Sequence, residues 1–189
     1  MGESLISVAG IHEISPSVFS SILNVAYHEV ANLSSPATLI LLTETTRNSI
    51  HHYTKDSVTQ TLVGTSFTSP FVGWSAHDIA RFLTENAEGS IVEPRLFLIA
   101  DEKTAEDGNT LLLVKVQTKE RYDGGLTLKT VRLAGEFVNI EAVAVSIGAK
   151  GVDELLDMVD GDGVFRGGRG NMTGRQPPKN GGDAPKKQM

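Results

Sequence analysis

Two unbroken apolar runs, "RLFLIAD" at 95–101 and "LLLVKV" at 111–116, constrain the fold more than any other feature of the chain. A strand with one wet face alternates apolar and polar residues, whereas a strand that is apolar at every position must be covered on both faces. Such strands need helices packed on the sheet, and the helices are legible. Ser15-Pro16 opens one, Ser as N-cap and Pro at the first helical position, and Val18, Phe19, Ile22, Leu23, Ala26, Tyr27 and Val30 recur at steps of three and four until "NLSSP". Ser75 caps another, with Asp78 at the third helical position and Trp74 placed to staple onto Ile79. Ala76, Ile79, Ala80, Phe82 and Leu83 form its buried stripe and leave His77, Asp78, Arg81 and Glu85 to water.

The remaining strands are expected at 38–45 ("TLILLTET"), 61–67 ("TLVGTSF"), 128–134 ("LKTVRLA") and 141–147 ("EAVAVSI"), the last from its alternation of Val143, Val145 and Ile147 with Ala142, Ala144 and Ser146. Residues 46–59 read as loop or weak helix and 102–109 as a charged loop, and Ser15-Pro16 marks the first regular element. A closing helix at 152–159 carries Val152, Leu155, Leu156 and Val159 on one stripe. Strand, helix and strand across 61–100 allow a crossover, while the later strands come in succession. The expected architecture is α/β: a mixed sheet of five or six strands with packed helices in residues 1–167, followed by a disordered basic Gly/Pro-rich tail at 168–189.

Charge divides along the same line. Residues 166–189 hold six basic side chains and one acidic, a net +5, and the first 165 residues hold 11 and 22, a net −11. There is no cysteine, which excludes disulfides, thiolate metal sites and a thiol nucleophile. With no basic leader and no bilayer-length apolar run, a cytoplasmic protein free of the membrane is expected.

Few motifs carry chemistry. The Asp-Gly repeat at 160–163 invites comparison with a calcium loop, but with Gly163 at loop position 6 the first and last ligand positions fall on Met158 and Arg169, and a cation cannot replace the bidentate carboxylate. "FRGGRG" occurs once, where RNA-binding tracts repeat the unit, so nucleic acid through the tail is the weaker expectation beside a protein partner. His51 and His52 are adjacent and share no face, a poor chelate. Asp101, Glu102, Glu106 and Asp107 crowd the end of the 95–101 strand, where sheet proteins often place a site. No phosphate loop, dinucleotide fingerprint or nucleophile elbow is present, and no cofactor is implied.

The succession "GWSAHDIARFL", "RLFLIADEKTAEDGNTLLLVKV", "VRLAGEFVNIEAVAVSIG" and "VDELLDMVDGDGVFRG" resembles a family of small bacterial and fungal domains of unknown function. Its members show a Gly-Leu-Thr-x-x-Gln-Leu helix, "FLFVAD" and "PLLVVD" strands, a "VENNLSIAN" segment and a closing "FxxFxxxVDxDGVFRGF". The likeness covers about residues 60–167 and is strongest from Val159 to Gly167; it implies an α/β domain and makes the Asp-Gly repeat part of the domain's terminus. Where the family has Glu-Asn-Asn, this chain has Glu141-Ala142-Val143. The expected role is a non-catalytic binding or interaction domain, with Asp101, Glu102, Glu141, Phe165 and Arg166 as candidate binding residues. A hydrolase or transferase using the carboxylates, and an RNA-associated protein acting through the Arg/Gly tail, are the alternatives.

Overall fold

The computed structural model describes residues 4–117 and 126–168. The basic tail from Arg169 onward lies outside them, as does the Asp-Gly-Gly turn at 123–125. Six strands form one mixed sheet: β1 (Leu5–Gly10), β2 (Leu39–Leu41), β3 (Val92–Ala100), β4 (Thr110–Gln117), β5 (Thr127–Ala134) and β6 (Val164–Phe165), in spatial order β2-β1-β3-β4-β5-β6. β2, β1 and β3 run parallel, β3-β4-β5 is an antiparallel meander, and β6 adds in parallel to β5.

Both faces are covered, as the two apolar runs require. On one face α1 (Pro16–Asn32), α5 (Val138–Ser146) and α6 (Val152–Leu156) pack over Ile6, Val8, Leu96, Leu98, Leu113 and Val131. On the other, α2 (Arg47–His52) through Ile50 and α3 (Ala76–Asn86) through Ile79 and Leu83 pack over Ala9, Phe97, Ile99 and Val114. Ser75 and Asp78 exchange the two capping-box hydrogen bonds at the start of α3. Trp74 stacks edge-on against Phe71 and Phe82, at 5.2 and 5.9 Å between ring centroids.

Four local expectations are corrected. The first regular element is β1, not α1; Ser7, Ala9 and Gly10 dilute its hydropathy, yet all six of its residues are buried. Residues 61–67 form no strand, because Thr59 already occupies the outer edge of β2: its N–H donates to the Leu39 carbonyl and its hydroxyl accepts from the Leu41 N–H. The crossover into β3 therefore starts from β2. The charged stretch after β3 is a short helix, α4 (Glu102–Asp107), capped by Asp101 and stopped by Gly108 at φ 65°. The 141–147 segment is helical, since an all-apolar run satisfies helical and strand periods alike; Val138, Ala142 and Val145 face the sheet, while Ile147 is 66% exposed.

The Asp-Gly repeat closes the sheet. Asp160 N–H donates to the Val164 carbonyl, Gly163 at φ 78° turns the chain, and Arg166 holds both acids, Nη1 to Asp160 at 3.0 Å and both guanidinium nitrogens to Asp162 at 2.9 and 2.7 Å. Hydrogen bonds from Arg166 and the Val164 N–H hold the Asp162 carboxyl down at about 2. A depressed folded-state value stabilises above the ordinary carboxylate range and is lost as pH falls through the folded value. The stability advantage of wild type over Asp162→Asn should thus be full above about pH 4 and vanish toward pH 2, as read by urea unfolding. Phe165, 2% exposed, meets Phe137 edge-on at 5.5 Å. Phe165→Ala should cost about 3–5 kcal/mol in the same assay.

Candidate functional site at the carboxyl ends of the parallel strands

In an open α/β sheet, ligands bind in the crevice outside the carboxyl ends of strands whose following connections leave in opposite directions. β1 and β3 meet that condition: β1 is followed by α1 and then β2 on one side, and β3 by α4 and then β4 on the other. A hollow of about 580 Å³ lies beyond the carboxyl end of β1, between the β1–α1 loop and residues 65–72. Its apolar lining is Ile14, Pro16, Phe67 and Val72; its exposed hydroxyls are those of Ser15, Thr65 and Thr68, while that of Ser69 is buried. His12 and Glu13 stand exposed in the same lining.

The wall at 64–73 is irregular in backbone but tied down along its length. Val63 N–H donates to Ser20 Oγ at 3.0 Å, Ser69 Oγ donates to the Gly10 carbonyl at 2.6 Å, and Gly73 N–H donates to the Ile11 carbonyl at 2.9 Å. Phe67 stacks edge-on with Phe19 of α1, 5.6 Å between centroids. A long connection without regular structure is uncommon in a compact fold and is usually functional. Here it substitutes for a strand and leaves side chains rather than a hydrogen-bonded edge facing the hollow.

Asp101 and Glu102 lie at the carboxyl end of β3, but Asp101 is committed to structure. It accepts from Thr104 N–H at 3.1 Å and from Arg132 of β5, whose other nitrogen donates to Thr110 Oγ1 at 3.2 Å. Partial burial pushes the Asp101 carboxyl up, but the bonds from Arg132 and Thr104 outweigh it and hold the group below the ordinary carboxylate range. Asp107 accepts from the Asn109 and Thr110 N–H groups and the Thr110 hydroxyl. Glu102 and Glu106 are exposed, Glu106 paired with Lys103 at 3.6 Å.

Glu141, Phe165 and Arg166 are not brought to these acids. Glu141 is a buried residue of α5, bound by Lys150 at 2.6 Å, and Lys150 in turn sits 5.6 Å from the centre of the Phe165 ring. Arg166 lies on the β6 edge with Asp160 and Asp162. His51 and His52 share no hydrogen-bond partner among the described residues; the Nε2 of His51 is 3.0 Å from the Asn86 carbonyl at the end of α3.

Sequence reasoning overlooked the hollow itself and one buried amide. Asn139 Oδ1 accepts from the Thr38 N–H and hydroxyl at 3.0 and 3.1 Å, and its Nδ2 donates to the Pro36 carbonyl, fastening α5 to the approach of β2. An isolated amide within "FVNIEAVAV" was the available signal. The hollow offered a weaker one, hydroxyl-rich "TSFTSP". The wall packs closely over Gly10: a Cβ there would lie 3.0 Å from Phe19 and 3.1 Å from Ser69. Gly10→Ala should therefore push the 64–73 wall outward and cost about 1–3 kcal/mol, with hydrogen exchange accelerated at Gly73, whose amide the wall's closure protects.

No curated protein and no solved structure matches the chain. A family model, Domain of unknown function (DUF6924), matches residues 42–168, which span the 64–73 wall, α3 and every strand from β3 onward. By that match, covering more than half its length, the chain belongs to the DUF6924 family.

Proposed function

We propose that this protein is a non-catalytic binding domain of the cytoplasm that holds a small neutral molecule in the hollow beyond the carboxyl end of β1. The observation that carries the reading is the lining: apolar side chains and exposed hydroxyls interleaved on both walls, around a volume of about 580 Å³. Ligand pockets combine a mainly apolar wall with a few placed polar groups, and that pairing suits a molecule with one apolar face and several hydrogen-bonding groups, of the kind of a nucleoside or a monosaccharide. Asp101 and Asp107, two of the four acids after β3, spend their oxygens on the cap of α4, on Arg132 and on the start of β4, and Glu106 pairs with Lys103, which leaves Glu102 alone of the four without a partner among the described residues. That supports binding over hydrolysis. The absence of cysteine suits a reducing compartment, and no described helix is long and apolar enough to cross a membrane. A protein partner is also part of the proposal, supported by the exposed Ile147, Leu156 and Met158 between the end of α5 and β6.

The full chain should be titrated with a panel of nucleosides and monosaccharides while amide resonances are followed. One class should shift His12, Thr65 and Thr68 saturably, raise the melting temperature by mass action, and be lost in Thr68→Phe, which fills the hollow. Mass spectrometry should return the ligand unchanged. Chemical conversion of the ligand would overturn the non-catalytic reading, and a panel without a saturable response at these residues would overturn the neutral-ligand reading.

A further inference from the structure

A second hollow, of about 500 Å³, lies toward the amino end of β3, lined by Glu93 and Arg95 of β3, Lys115 and Gln117 of β4, Lys129 of β5 and Asp153 of α6. Its cations are placed against the local packing logic. Leu111 and Leu113 of β4 and Leu133 and Val131 of β5 form apolar stripes on the face that carries α5 and α6. Both stripes change to lysine at the same rung, since Lys115 pairs with Lys129 directly across the ladder. Like charges directly opposite destabilise a sheet, and apolar residues would have continued both stripes. Arg95 brings a third positive charge from the neighbouring strand, in a body whose first 165 residues carry a net −11.

Local partners account for only part of this charge. Lys115 Nζ donates to the Val145 carbonyl at 3.3 Å and Lys129 pairs with Asp153. An ammonium has three N–H donors, so each of these contacts leaves two for a further acceptor. Arg95 has no salt bridge among the described residues, and the Glu93 carboxylate is turned to the Arg95 backbone N–H at 3.3 Å. The start of α6, Gly151 to Asp153, forms the hollow's other side.

We propose that the hollow binds the phosphoryl group of a small phosphate monoester. Three cationic residues from three adjacent strands line it, and a tetrahedral dianion presents three oxygens to such a set, whereas a planar carboxylate is best matched by a single guanidinium fork. The site is independent of the neutral-ligand hollow, which lies beyond the carboxyl end of β1.

The test titrates the full chain with phenyl phosphate, inorganic phosphate and succinate at constant ionic strength, by calorimetry and amide chemical shifts. Phenyl phosphate should bind saturably at millimolar concentration or below and shift Arg95, Lys115 and Lys129. Affinity should fall at least about tenfold in Lys129→Gln and in Arg95→Gln, the loss expected for one charge-assisted contact, and should weaken as salt rises. Because Lys129 also holds Asp153, Arg95→Gln is the deciding variant, its side chain being exposed and its folding readily confirmed by an unchanged melt. Inorganic phosphate binding as tightly as phenyl phosphate would overturn the monoester. Succinate binding more tightly than either would overturn the phosphoryl assignment. No saturable shift at these residues, or full affinity retained in Arg95→Gln, would overturn the site.

Discussion

The structure depends on burying β1 and the Leu96–Ala100 end of β3 on both faces. Every residue of these two segments is buried, so neither strand has a solvent side, and helices must lie above and below. The chain supplies that cover by running from β1 through α1 on one face to β2, then back through α2 and α3 on the other face to β3. Burial of apolar area, at roughly 25 cal/mol per Å², drives the arrangement. Its geometric by-product is the hollow, since connections that leave β1 and β3 in opposite directions cannot close over the strand ends themselves.

Polar contacts then choose among the packings that burial allows. Asn139 spends its amide on Thr38 and Pro36, more than a hundred residues earlier in the chain, and so ties α5 to the start of β2. The Glu141–Lys150 pair works beneath the same helix, and Lys150 covers the Phe165 ring that β6 presents. With Glu141 buried and Lys150 partly exposed, the pair contributes little net stability, because the carboxylate gives up its water to form it. Its consequence is positional: with either partner elsewhere, a charge is left without its counterpart beside the core. α5, the 147–151 turn and β6 are thereby set relative to one another.

Much of this was legible in the sequence and some was not, for identifiable reasons. The paired apolar runs, the α1 stripe and the Ser75–Asp78 box each express one local rule that the tertiary structure does not override. "EAVAVSI" obeys two rules at once, and its partners decide between them. "TLVGTSF" has the composition of a strand but no edge to join, because Thr59 holds the flank of β2; whether an edge is free is a property of the assembled sheet. The acids around Asp101 were visible as a cluster, while their use as caps and as the counterion of Arg132 depends on a strand some thirty residues later. The two hollows were invisible for a related reason. Lys115 and Lys129 become neighbours only through the β4–β5 register, and Ser15 and Thr68 only through the wall laid over Gly10.

The family match begins at Leu42, yet the strand beside β3 is β1, from residues 5–10. The matched stretch alone would leave one edge of β3 with its backbone groups unpaired, and would leave Leu96, Leu98 and Ala100 without Phe19, Ile22, Leu23 and Ala26 of α1 above them. An exposed, flat, apolar edge of that kind invites pairing with another chain. Residues 5–41 are therefore part of the same folding unit as the matched region, although their sequence falls outside the match. The first hollow sharpens the point, because one wall of it, from His12 to Pro16, comes from the unmatched segment and the other, from Thr65 to Val72, from the matched one. Neither the matched stretch nor the segment before it can form that hollow without the other.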